Sequence, residues 1–247
     1  MQHGGPGSGL SRRLLGVAAL ALAGFVALAL PATSHQFSAL DYQARAFVHL
    51  TRAPALDPAM TGVSGLGENY GLIPLILLGI AVLWRPSRRW AVALPLLMAG
   101  TGALQLIAKW AVDRPRPNLA AWGFPSGHVL SLVVFFGLIT YLLATSTLPR
   151  RRRWLGSAGC LSTVLAVAFS RLYLEAHWIS DLAGGFTLGL AYLLLTIYLV
   201  ETVARRRAGR SGSPLAQKRR FTLPTMNGED PMSIRLSWRS EYPSPSK

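Results

Sequence analysis

Apolar residues along this chain come in long runs almost free of charge, separated by short polar stretches. Six runs stand out: about 14–31, 70–84, 90–112, 129–145, 155–169 and 182–203. They lack the polar stripe that marks a helix lying on a soluble core. Most approach the roughly 20 residues that a helix needs to cross about 30 Å of hydrocarbon. The pattern predicts an all-α fold, an integral membrane bundle of six transmembrane helices. With 51% hydrophobic and 14% charged residues, the composition argues against a soluble helical domain of this size.

The polar stretches alternate in character. Arg12 and Arg13 precede the first run, and Arg85, Arg88 and Arg89 separate the second from the third. Arg150 to Arg153 separate the fourth from the fifth, and Arg205, Arg206, Arg207 and Arg210 follow the sixth. With six spans, all four clusters fall on one side, which the positive-inside rule makes cytoplasmic. The net charge of +15 therefore reflects topology. The expected partner is the lipid bilayer and no nucleic acid. The reading is a multi-pass protein of the inner (plasma) membrane with both termini cytoplasmic. Stretches 32–69, 113–128 and 170–181 then face outward.

The first run also resembles a signal peptide, because "LALPATS" offers small residues after it. Its apolar part is longer than the roughly 7–15 residues usual there, so it is read as an uncleaved anchor. Residues 1–203 form one six-helix domain. Residues 204–247, rich in Arg, Lys, Ser and Pro, read as a basic, disordered cytoplasmic tail near anionic headgroups. Cys160, the single cysteine, can form no disulfide within the chain. "GFTLG", Gly185 to Gly189, is a small-xxx-small pattern that predicts close helix packing in the sixth run.

Nearly all the informative polar residues lie in three outward stretches. In "SRLYLEAHWISD", His177 and Asp181 are four apart, so on a helix they share a face. A carboxylate on one ring nitrogen leaves the other nitrogen with a free lone pair, suited to a nucleophile or base. The same pair could equally stabilise the start of the sixth span. In "FPSGH", Pro125 keeps the chain from being helical, and Ser126-Gly127 then opens the fourth span. Free backbone N–H groups at a helix start form an anion site, with His128 in the first turn placed to give a proton. A plain helix cap fits those residues as well. In "KWAVDRPRP", Lys109 and Arg116, joined by Arg171, bring three cations toward one spot, with Asp113 and Glu175 nearby. A phosphate is the natural guest of such a cradle, because Arg grips it with two parallel hydrogen bonds. Arg114 reads either as a helper or as a surface charge, and Pro115 and Pro117 stiffen the loop. Glu68 and Tyr70 in "GLGENYG" could touch a headgroup, but read first as a turn with an interfacial tyrosine.

Lys109-x6-Arg116-Pro117, then Pro125-Ser126-Gly127-His128, then Ser170-Arg171-x5-His177-x3-Asp181 resembles the three-part signature of the type 2 phosphatidic acid phosphatase superfamily. All three parts match in order and spacing, across about residues 95–200. The resemblance implies a metal-free lipid phosphatase with no cofactor and its active site at the outer membrane–water interface. His177 would attack phosphorus to form a phosphohistidine, Asp181 would hold its ring, and His128 would protonate the departing oxygen. Lys109, Arg116, Arg171, Ser126 and the Gly127 backbone would bind the phosphate oxygens. Ser170 and Pro125 would support them, with no derivable chemical role for Ser170. Expected substrates are phospholipids or polyprenyl phosphates: undecaprenyl diphosphate, placed first, then phosphatidylglycerophosphate, phosphatidic acid or lipid A phosphates. A lipid phosphotransferase using the same phosphohistidine is the main alternative, and a non-enzymatic membrane binder is a weaker one. Vanadium haloperoxidases resemble this family at the same residues but are soluble and longer, which the six runs oppose.

Overall fold

The computed structural model describes residues 7–211, and within them every regular element is helical. In order these are α1 (Gly7–Thr33), α2 (Ala39–Thr51), α3 (Asp57–Ser64), α4 (Asn69–Leu83), α5 (Arg88–Val112), α6 (Gly127–Thr145), α7 (Arg150–Tyr173) and α8 (Ile179–Ser211). Single 3-10 turns at Pro54–Leu56 and Gly65–Gly67 flank α3. The described residues up to Ala204 form one compact unit. The tail expected over 204–247 lies, beyond the end of α8, outside the described residues.

The long apolar runs became helices, as their composition requires where backbone groups cannot reach water. Five helices are each long and apolar enough to cross a membrane: α1, α5, α6, α7 and α8. The sixth crossing differs from the expected straight span over 70–84. The fifteen residues of α4 are short for the task, and they follow the Pro54–Gly67 segment at a 49° bend. Such a bent pair is either a broken span, giving six crossings, or a re-entrant segment, giving five. Stretch 32–69 is likewise more than a loop. Ser38 accepts from the Asp41 N–H at 3.1 Å while the Asp41 carboxylate accepts from the Ser38 N–H at 2.9 Å, a capping box that starts α2. Polar residues on one side of α2 hid it from a search for uniformly apolar runs.

The fold is layered around α6, half of which is buried against its neighbours. Its Leu130, Val134 and Leu138 pack with Trp90, Leu94 and Leu97 of α5 and Leu188, Leu193 and Ile197 of α8. Val129, Leu132 and Val133 on its other side meet Val164 and Val167 of α7. Large apolar side chains such as Leu20, Leu96 and Ile107 point outward, more than 65% exposed, as a lipid-facing surface demands. The glycine pattern in α8 acts as expected. A methyl on Gly185 would fall 2.5 Å from the Ser126 carbonyl oxygen, and one on Gly189 would fall 3.0 Å from that of Leu130. Only bare backbone lets α8 approach α6 this closely.

Alternation of the helices sorts the chain ends. The end of α5 and starts of α4, α6 and α8 share one end of the bundle, with the end of α7. The Arg-rich starts of α5 and α7 lie at the other. There Arg89 pairs with Glu201 at 2.8 Å, and Arg153 donates to the Ala144 carbonyl at 2.9 Å.

Candidate active site

Breaks between helices deliver the polar residues. Lys109 sits one turn before α5 ends, where Asp113 adopts a left-handed conformation (φ 41°) and turns the chain. The loop that follows folds on itself through Gly123 N–H to Arg114 O at 2.6 Å and Arg116 N–H to Ala120 O at 2.8 Å. Arg116 is thus presented beside Lys109. Ser126 is extended and caps α6, so Gly127 and His128 open its first turn. Arg171 lies in the last turn of α7, and Glu175 (φ 51°) reverses the chain toward His177.

These residues line one cavity of about 180 Å³: Lys109, Arg116, Gly127, His128, Arg171 and His177, with Glu68, Asn69, Gln105 and Ser131 closing it. Three cations and two imidazoles therefore face one small cavity. Buried Nε atoms of Arg116 and Arg171 have no hydrogen-bond partner, an unusual state for buried donors. Larger hollows between α4, α5 and α6, and between α6, α7 and α8, are lined almost wholly by apolar side chains. Among the described residues, no group of three His, Cys, Asp or Glu is arranged to hold a metal ion.

Four of the residues singled out from sequence do not touch this cavity. Asp181 is fully buried behind His177. Ser126 is fully buried, its hydroxyl unpartnered and its N–H donating to the Asp181 carbonyl at 3.0 Å. The Ser170 hydroxyl donates to Val167 O at 2.8 Å, within its own helix, so it does not orient Arg171. Pro125 is buried just before the α6 cap.

His177 and Asp181 face each other, yet not as two residues on one helix face. Helix α8 begins only at Ile179, so His177 lies ahead of it. Its Nδ1 is 3.5 Å from Asp181 Oδ2 and lacks hydrogen-bond geometry. That same Oδ2 accepts the Trp178 N–H at 2.9 Å, which caps α8. Burial, only partly opposed by Asp181, pushes the His177 ring down to about 4, because a charged imidazole is disfavoured away from water. The ring is neutral near pH 7, with Nε2 left for the cavity.

Several residues take places other than those the sequence reading put first. Glu68 belongs to the cavity wall: its Oε1 lies 3.0 Å from His128 Nε2 and 3.9 Å from Arg171 NH1. Gly67 makes this possible, since a Cβ there would collide with the His128 ring. Ser64 takes a hydrogen bond from Arg171 at 2.8 Å. Arg114 is neither a pocket residue nor a surface charge. It is 1% exposed and bridges Asp181 Oδ1 at 3.0 Å and Asp41 Oδ2 at 3.1 Å. Glu175, expected near the three cations, turns instead to Arg45, His49 and Arg52.

A sequence model described as the PAP2 superfamily matches residues 90–205. Phosphatidylglycerophosphatase B of Bacillus subtilis is 33% identical over 168 residues, covering 64% of this chain and 82% of that protein. Undecaprenyl-diphosphatase of Sulfolobus acidocaldarius is 24% identical over 167 residues, covering 63% and 76%. Among solved structures, the transmembrane PAP2-type phosphatidylglycerolphosphate phosphatase of Bacillus subtilis superposes with a TM-score of 0.62 at 24% identity. That match covers 75% of this chain and 96% of the other, and shows a shared fold.

Proposed function

We propose a mechanism for this chain, which belongs to the PAP2 superfamily and is a multi-pass membrane phosphatase: it hydrolyses a lipid phosphate or diphosphate through a phosphohistidine on His177. The observation that carries the proposal is the single cavity in which Lys109, Arg116, Arg171, His128 and His177 meet. A phosphoryl group placed there has its non-bridging oxygens against the three cations and the Gly127 N–H at the start of α6. Nε2 of His177 forms the bond to phosphorus while the bond to the lipid oxygen breaks. His128 gives that oxygen its proton, a contribution of roughly 10²–10⁴-fold. Water then attacks the phosphohistidine, releasing phosphate and restoring the ring. Asp181 holds Nδ1 from behind, and Ser126, Pro125 and Ser170 shape the backbone around the site.

For the substrate, the relatives' names offer a glycerophospholipid monoester and a prenyl diphosphate. We place phosphatidylglycerophosphate first, reversing the order read from sequence, because the more identical relative is named for it. The arginine clusters lie away from the cavity, so the cavity faces outward and both termini face the cytoplasm. The test is phosphate release by purified protein from phosphatidylglycerophosphate, phosphatidic acid and undecaprenyl diphosphate, with His177→Ala as control. Release by His177→Ala at the parent rate would overturn the mechanism. Transfer of phosphate to an acceptor lipid, with none to water, would replace hydrolase by phosphotransferase.

A further inference from the structure

Behind the cavity lies a buried charge layer that the mechanism has not used. Arg114 NH1 donates to Asp181 Oδ1 at 3.0 Å and to the Ser180 hydroxyl at 2.7 Å. Its NH2 donates to Asp41 Oδ2 at 3.1 Å and to the Gln36 carbonyl at 2.9 Å. Asp41 Oδ1 accepts the Ser180 N–H at 3.0 Å, which fastens α2 to the start of α8. Asp41, Arg114 and Asp181 are each at most 1% exposed.

The charges do not cancel. Arg114 with Asp181 alone is a neutral pair, which offers little to a neighbouring ring that becomes positive. Asp41 leaves the group with a net charge of −1. Resting on the phosphohistidine reading, we infer that Asp41 is a positioning residue for the nucleophilic step, neutralising Arg114 so that the charge of Asp181 remains available to His177. When Nε2 bonds to phosphorus and the leaving oxygen departs with the proton of His128, the ring keeps hydrogen on Nδ1 and carries +1. It does so in a buried place, where an unbalanced charge is costly. Two carboxylates against one guanidinium balance that ring. Asp41 is suited to the role because it stays ionised. Burial alone would push its carboxyl up, but hydrogen bonds from Ser180 and Ser38, with Arg114 beside it, hold it below the ordinary carboxylate value.

The experiment follows phosphoenzyme formation by rapid quench with radiolabelled phosphatidic acid in detergent micelles, using full-length protein. An alkaline quench preserves the phosphorus–nitrogen bond. Asp41→Asn is expected to slow labelling about tenfold, equivalent to one pK unit of ring stabilisation, with competitive inhibition by inorganic phosphate, which leaves the ring unbonded, unchanged. Asp41→Glu should keep the rate. The double variant Asp41→Asn/Arg114→Met, which restores a net charge of −1, should label faster than Asp41→Asn. Three results overturn the inference: Asp41→Asn labelling at the parent rate, Asp41→Asn losing inhibition by inorganic phosphate along with rate as a mere brace would, or a double variant slower than the single. Labelling of His177→Ala would instead overturn the phosphohistidine reading itself.

Discussion

Replacing Glu68 by Gln should tighten the binding of phosphate-like anions, against the usual rule that changing a pocket residue weakens binding. The Glu68 carboxylate lies 3.0 Å from His128 and 3.9 Å from Arg171, two groups that the proposed mechanism assigns to the incoming phosphate. It is therefore an internal competitor, and it also repels the anion. Two unit charges 4 Å apart interact by about 4 kcal/mol at an effective dielectric of 20 and by about 1 kcal/mol in water. The Glu68 side chain is 46% exposed, so the watery end of that range applies, where exposed pairs contribute about 0.2–1 kcal/mol each. Releasing the Arg171 pair and the His128 hydrogen bond gives about 1 kcal/mol, about fivefold in affinity. The assay is a vanadate titration of phosphate release by purified protein, at low and high salt. The inhibition constant should fall about fivefold, and by less at high salt, where exposed charges are screened. A constant that holds steady or rises would refute the competition and make Glu68 part of the anion's support.

Other consequences follow from the same geometry. In the proposed mechanism the neutral His177 ring is the nucleophile, and its pKa is lowered to about 4, so activity should persist as pH falls below 6.5 and be lost only near 4; an acid limb near 6.5 in the pH–kcat profile would contradict this. Arg114→Leu strands two buried carboxylates, so thermal unfolding in detergent should show a loss of about 3–5 kcal/mol; a negligible shift in Tm would mean the triad carries little strain or load. Gly185→Val drives a side chain into the Ser126 carbonyl and should cost about 1–3 kcal/mol while weakening vanadate inhibition, whereas Gly159→Ala, with open space around it, should change neither. With Cys160 replaced by Ser, Asn118→Cys should react with a membrane-impermeant maleimide on intact cells; labelling only after lysis would reverse the orientation.

Much of this molecule was legible in the linear chain because hydrocarbon imposes a simple rule: a charge-free run must become a helix. Runs near 90–112 and 129–145 obey it almost to the residue. Helix α2 obeys a different rule, a capping box followed by a two-faced pattern, and the search for uniform apolarity passes over it. In the site, residues at fixed short spacings were readable, because Lys109 to Arg116 and His177 to Asp181 keep their neighbourhood wherever the chain goes. Glu68 and Asp41 were not, since each meets its partner across more than fifty residues: Glu68 to His128, Asp41 to Arg114. Arg114 was ambiguous because an arginine between Asp113 and Pro115 says nothing about which way it points. Only the partners around it decide that.

The shortness of α4 has a bearing on how a greasy substrate is handled. Its fifteen residues rise about 22 Å, about 8 Å less than an average hydrocarbon layer is thick. If the other end of α4 reaches the opposite headgroup layer, the corner at Glu68 and Asn69, which walls the cavity, is sunk below the level that a full-length helix would reach. A molecule with long tails can tilt its phosphorylated end sideways into that notch without its tails being lifted into water. Turnover would then depend on how many carbons separate the phosphorus from the branching or bulk of the tails, more than on what the tails themselves are.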